Sequence, residues 1–520
     1  MKKFKFGRTH LACVLAFAGI VVFTVCIWYS KRYYAGIEEI IVTVTSPLKG
    51  SESTAVNQGF ADCTPQAAVC TAFFILPAVL WRVSGITEKL QKAADSRGVK
   101  LNIRKTAQNV YLCTGALILA AGLFYLNGYF GITDYFLRRT QSTSIYEEYY
   151  IDPSCVKITK EGKGRNLILI YLESMETGYA SADAGGSQDT NYIPNLTRLA
   201  EDEVNFSENG LLGGYRNTLG STWTAGSLFS STTALPFPAG KSANNSEDCF
   251  MPGVTGLYDI LDRHGYDQYF LCGSDAYFGG RSVYYKTHGN LTVYDHSTAI
   301  SDGYIDENYH QWWGYEDSIL YDIAKDKITK ASKSFHPFSF TMITADTHFP
   351  QGYVCSSCRD DYPSDGENVV SCADRQIADF IAWCKTQDFY ADTTIVVMGD
   401  HPRMDKIMPR ETPAAERKSY ICFVNCADKS ANDIPRTYTQ LDIMPTTLAA
   451  MGFEIEGDRL GLGTNLFSSR PTIAETEGFE KLNSELGKSS RRADEIFGRV
   501  TGAAMLETIL QTLPFFPSGR

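Results

Sequence analysis

The apolar residues of this chain are unevenly spread, and that constrains its fold more than any single motif. Residues 11–29 form an uncharged run long enough to cross a bilayer as a helix. Residues 110–132 form a second. Between them, residues 63–81 are shorter and carry Pro65 and Pro77, so a buried or interfacial helix is the rival reading there. Taken together they predict an N-terminal membrane region over 1–135, with helical spans at 11–29, 63–83 and 110–132. A cleaved signal peptide fits the first run poorly, because its apolar core is too long and no small-residue cleavage site follows. The remainder is different in kind: mean hydropathy over the whole chain is −0.17, too low for a protein lying wholly in membrane.

Charge orients the spans. Lys2, Lys3, Lys5 and Arg8 precede the first run, and seven basic residues from Arg82 to Lys105 lie between the second and third. Basic loops stay in the cytoplasm. The chain after residue 132 is then expected outside it, although Lys31, Arg32, Arg138 and Arg139 oppose this arrangement. The net charge of −11, from 48 basic and 59 acidic residues, excludes nucleic acid as the main partner.

From residue 166 the pattern alternates. NLILIYL (166–172) is a continuous apolar run, as expected of a strand buried on both faces. Helices are predicted at 194–203, 257–264, 368–386 and 440–451, and further strands at 269–272, 339–344, 393–398 and 420–425. Such alternation predicts an α/β domain with a mostly parallel sheet between helices, which carries its chemistry at the carboxyl ends of the strands. Glu173 follows the first strand, Asp400 and His401 follow the 393–398 strand, and His348 lies just beyond the 339–344 strand. A small-residue segment around Thr222 and Thr224 opens a helix, where backbone N–H groups favour an anion. Each residue has a plain structural alternative: a cap for Glu173 or Thr224, a satisfied histidine for His348. As a set, two carboxylates and an imidazole make a site for one divalent metal, manganese first, with magnesium or zinc also compatible. A metal bound to a threonine hydroxyl would lower its pKa and activate it as a nucleophile.

The order of NLILIYLESMETGY (166–179), the Thr224 helix start, DTHFPQGY (346–353) and VVMGDH (396–401) resembles the sulfatase-like branch of the alkaline phosphatase superfamily. Within it the chain is similar to the membrane phosphoglycerol transferases. These are lipoteichoic acid synthases and, more closely, the phosphoglycerol transferase I enzymes that modify periplasmic glucans. FGGR (278–281), KTHG (286–289) and the extracytoplasmic loop at 34–49 also match that group. The resemblance implies that Glu173, Thr224, Asp400 and His401 hold the metal. It implies that Thr224 is the nucleophile and that Arg281 and His348 hold the phosphate. It also implies phosphatidylglycerol as donor and a glycan or polymer as acceptor outside the cytoplasm, through a glycerophospho-threonine intermediate. Gly279 departs from the aromatic residue found two positions before the arginine in lipoteichoic acid synthases, so the glycerol contact is open. Thr222 remains a second candidate nucleophile by spacing.

A phosphoethanolamine transferase or a sulfatase-like hydrolase of the same fold is the nearest alternative. The first usually carries a different membrane region, and a sulfatase needs Cys or Ser where Thr224 stands. A catalytically silent membrane binding protein would have lost a metal ligand, and all four candidates are present. The domain limits expected are a linker at 136–164, the catalytic domain at 165–470 and a C-terminal extension at 471–520. Cys355, Cys358 and Cys372 cluster in a polar stretch. Outside the cytoplasm that predicts a Cys358–Cys372 disulfide, with Cys355 as a rival partner and zinc as a rival reading.

Overall fold

The computed structural model describes residues 7–34, 36–45, 54–238, 249–428 and 435–498. Lys2, Lys3, Lys5, residues 46–49 of the expected extracytoplasmic loop and residues 499–520 of the expected extension lie outside them. The chain divides into two units, residues 1–37 with 52–136, and residues 38–51 with 137–520.

Three helices of the first unit are long and apolar enough to cross a membrane: Arg8–Arg32, Asn57–Val83 and Ile103–Phe130. The middle one contains both prolines as helical residues, so the shorter middle run is a helix of full spanning length. The first and third pack closely because the contact is made of small residues. Ala12 meets Gly115 and Gly19 meets Gly122, with Ala16 buried between them in sequence, and a Cβ on Gly115 would collide with the Ala12 carbonyl. Phe73 and Phe124 instead point outward, 75% and 81% exposed, an exterior that suits lipid rather than water.

The second unit is built on a seven-stranded sheet. Its order is Gly214–Tyr215, Ser419–Val424, Thr393–Gly399, Asn166–Leu172, Phe338–Ile343, Asp267–Cys272, Thr292–Tyr294. The last five strands in this order are mutually parallel; Ser419–Val424 runs antiparallel to Thr393–Gly399. The central strand explains the architecture. Its residues alternate between faces, so Leu167, Leu169 and Tyr171 enter one apolar cluster while Ile168, Ile170 and Leu172 enter the other. All six are buried, so helices must cover both faces. Asp365–Lys385 covers one of them, with Val370, Ile377 and Ile381 inward and the Ser364 hydroxyl capping its N-terminus on the Glu367 N–H. The expected 440–451 helix is a 3-10 turn, Gln440–Asp442, running into Ile443–Ala450.

Two domain limits need correction. The expected linker is not free: Ile158–Lys160 pairs antiparallel with Phe453–Ile455, and Ile145 and Tyr146 join the core. Residues 471–498 are likewise part of the domain, since Ile473, Leu482, Ile496 and Phe497 are buried in the same cluster. Both segments carry too few apolar residues to signal this alone, and they are stabilised by each other.

Candidate active site

The strand ends that carry the polar residues are knitted together by backbone geometry. Gly399 closes its strand against the neighbouring turn, where any Cβ would run into the Met175 carbonyl. Ser174 adopts a left-handed conformation, φ 55°, uncommon for a residue with a side chain. That turn directs its N–H onto Asp400 Oδ1 at 2.7 Å, and the His401 N–H donates to the same oxygen at 2.8 Å. Asp400 Oδ2 is buried and has no hydrogen-bond partner among the described residues.

Thr224 is the first residue of the ten-residue helix Thr224–Thr233. That helix is tied to the strand end where the Ser227 hydroxyl donates to the Asp400 carbonyl at 2.5 Å. The Thr224 hydroxyl lies 3.4 Å from Glu173 Oε2 and 3.3 Å from His401 Nε2. His401 Nδ1 is 3.0 Å from the Pro402 carbonyl, which can only accept. Nδ1 therefore carries the proton, and the Nε2 lone pair faces Asp400 Oδ2 at 3.3 Å and Glu173 Oε1 at 3.6 Å. Among the described residues, Glu173, Asp400 and His401 form one of two groups whose ligand atoms converge within 4.8 Å.

The electrostatics say what is needed there. Burial pushes the Asp400 carboxyl up to about 7, and the Glu173 charge adds to it. Burial also works to raise Glu173, but the neighbouring imidazoles of His348 and His401, the Ser174 hydroxyl and the Arg403 charge together hold this carboxyl below its usual range. Burial disfavours a charged His401, yet Asp400 and Glu173 together raise it. Two buried carboxylates, one with an oxygen unpaired, and an imidazole lone pair aimed between them fit a divalent cation.

The phosphate-holding candidates face the same pocket, whose wall includes Glu173, Thr224, Arg281, His348, Phe278 and Trp313. Arg281 is held by the Ser274 hydroxyl and the Asp275 and Phe278 carbonyls, bonds that leave Nη1 out. His348 donates from Nδ1 to the Phe349 carbonyl at 2.6 Å, which leaves Nε2 as an acceptor, and burial lowers its pKa. Thr222, the rival nucleophile, points elsewhere: its hydroxyl donates to Glu39. His288 of the KTHG segment is not in the pocket wall. It is buried between Asp259 and the Phe250 carbonyl, a structural role.

Sequence reasoning missed Ser274 and Trp313. The Trp313 ring stands edge-on to His348 with centroids 4.5 Å apart, and its indole N–H is buried without a partner. The only signal was the Trp312–Trp313 pair in a Gly-containing loop. The three cysteines for which a disulfide is expected lie together. Cys355, Cys358 and Cys372 do converge, but none is bonded to another. Their sulfurs are 3.7 Å (355–358) and 3.9 Å (355–372) apart, far beyond a covalent S–S bond of about 2.05 Å.

A sulfatase family model matches residues 165–453. Curated relatives of the chain are named phosphoglycerol transferase I. The one from Escherichia coli (strain K12) is 30% identical over 335 residues, 62% of this chain and 41% of its own length. The one from Salmonella choleraesuis is 30% identical over 315 residues, 59% and 39% of the two chains. This chain therefore spans about two fifths of the length of the curated relatives it matches. Among solved structures, the lipoteichoic acid synthase LtaP from Listeria monocytogenes is 22% identical with a TM-score of 0.48, covering 60% of this chain and 79% of that one.

Proposed function

From the premise that this chain belongs to the sulfatase family, we propose that it is a membrane-anchored phosphotransferase that moves phosphoglycerol from phosphatidylglycerol to a glycan or polymer hydroxyl outside the cytoplasm. One observation carries the reading. The Thr224 hydroxyl, at a helix start, sits within 3.4 Å of Glu173 and His401 in a pocket shared with Arg281 and His348. Glu173, Asp400, His401 and Thr224 would hold a divalent cation, manganese by the oxygen-rich donor set, which supplies the positive charge that lowers a hydroxyl pKa.

The chain's own residues then divide the work. Arg281 and His348 hold the phosphoryl oxygens, and the N–H groups opening the Thr224–Thr233 helix favour the same negative charge. Thr224 Oγ1 bonds to phosphorus as the bond to the diacylglycerol oxygen breaks. The proton lost by Thr224 is the one the leaving oxygen requires. His348, neutral and open at Nε2, is the group in the pocket able to relay it. In the second half the acceptor hydroxyl gives up its proton, attacks phosphorus, and Thr224 recovers its own. The spanning helices would anchor the chain to the membrane that holds its donor, and the basic loop from Arg82 to Lys105 supports a catalytic domain on the outer side.

The test is incubation of the full chain in vesicles with phosphatidylglycerol labelled in its headgroup glycerol. Label recovered on the Thr224 peptide, with diacylglycerol released, is the expected result; no label from phosphatidylglycerol, but label from phosphatidylethanolamine carrying it in the ethanolamine headgroup in a parallel incubation, would make the enzyme a phosphoethanolamine transferase. Arg281→Ala is expected to lower transfer by about a hundred- to thousand-fold, not to zero, since one stabilising donor is lost. An undiminished kcat/KM in that variant would remove Arg281 from the phosphate site.

A further inference from the structure

A second convergence of ligand atoms lies away from the pocket and belongs to none of the steps above. Cys355 and Cys358 sit in one turn, closed by the Cys358 N–H bonding the Cys355 carbonyl at 3.0 Å. Cys372 comes from the first half of the Asp365–Lys385 helix. All three sulfurs lie within 4.8 Å of one another. At 3.7 Å (355–358) and 3.9 Å (355–372), two of the separations match an edge of a thiolate tetrahedron, which is about 3.8 Å when each metal–sulfur bond is about 2.3 Å. A disulfide would use two of the three thiols and strand the third beside it; a metal uses all three.

The surroundings supply the fourth position. Gln376 lies one helical turn after Cys372, on the same face. Its amide nitrogen is 3.4 Å from the Cys372 sulfur and 3.9 Å from the Cys355 sulfur, while its amide oxygen is buried with no hydrogen-bond partner among the described residues. The two ends of an amide have the same shape, so turning it over satisfies the orphaned oxygen by aiming it at the sulfur triangle. Cys355 and Cys372 are buried and Cys358 is partly exposed, which leaves a route in from solvent.

We propose that Cys355, Cys358, Cys372 and Gln376 form a structural site for one thiophilic divalent cation, zinc by donor type. Binding releases the thiol protons to solvent and leaves a closed site with no room for substrate chemistry. Its position gives it a purpose. It clamps the loop that follows His348 onto the helix covering the sheet, so the histidine segment is fixed at its far end.

The test uses the full chain in detergent, purified, stripped of metal by chelator under reducing conditions and titrated with cobalt(II). A sulfur-to-cobalt charge-transfer band should grow to one equivalent, since the oxygen and nitrogen donors around Thr224 cannot give one. Cys372→Ser should abolish the band, and Gln376→Ala should weaken cobalt affinity by about tenfold. Glu173→Ala should keep the band in full, which separates this site from the catalytic one and from the reading of function. The proposal fails if a non-reduced digest of the protein as purified shows any two of these cysteines linked. It fails equally if three reduced thiols give no band, or if Glu173→Ala removes it.

Discussion

Thr224→Ala abolishes transfer while the protein still folds and still takes up metal. The expected fall is on the order of a millionfold, the scale on which losing a nucleophile that works as part of a unit collapses turnover. Alanine is compatible with the first position of the Thr224–Thr233 helix, and the Thr224 hydroxyl caps nothing in that helix, so a folding defect is not the cause. Glu173, Asp400 and His401 remain to bind the cation. Thr222→Ala is the control, because that hydroxyl is committed to Glu39 and not to the carboxylate cluster. Steady-state transfer to an acceptor and a metal assay on the same preparations decide it. A dead Thr222→Ala with an active Thr224→Ala would move the nucleophile by two residues. Activity in both would end the covalent route.

Removing a metal ligand should be as damaging by a different path. Glu173→Ala, Asp400→Ala and His401→Ala each take one of few donors from a small buried site and should lose both bound metal and activity. Asp400 is the most telling. Its Oδ1 accepts two backbone N–H groups that shape the turn, whereas Oδ2 has no hydrogen-bond partner among the described residues. Asp400→Asn keeps an oxygen for those N–H groups and removes the charge, so it should fold yet bind metal weakly. Chelator should silence the wild type and a divalent ion should restore it. Full activity in chelator, with metal content confirmed at zero, would refute a metal-dependent enzyme.

How far these residues could be found without coordinates depends on what held the information. The Asn166–Leu172 strand was legible because burial on both faces writes itself as an unbroken apolar run. Glu173, Asp400 and His401 were legible because they directly follow such strands. The two-residue strand Gly214–Tyr215 carries no periodicity to read. Ser274 and Trp313 reach the pocket from separate loops, and only tertiary contact reveals them. The cysteines show a third case. Their grouping was visible in the spacing, but whether two sulfurs bond or three converge is a matter of distances that spacing does not hold.

The clasp between the two ends of the second unit has a consequence for how the chain acquires its shape. The Ser489 hydroxyl bonds the Arg139 carbonyl across 350 residues, Tyr149 bonds Glu477 across 328, and Ile158–Lys160 pairs with Phe453–Ile455. Closing loops of this length adds little to the equilibrium cost, because that cost grows only with the logarithm of length, but it delays assembly. As the polypeptide emerges, residues 139–160 are among the first of this unit to appear and among the last to find their partners. Ile145 and Tyr146 must wait unburied in the meantime. The stretch from Glu477 to Ser489, synthesised 328 to 350 residues later, is thus what secures the stretch from Arg139 to Tyr149.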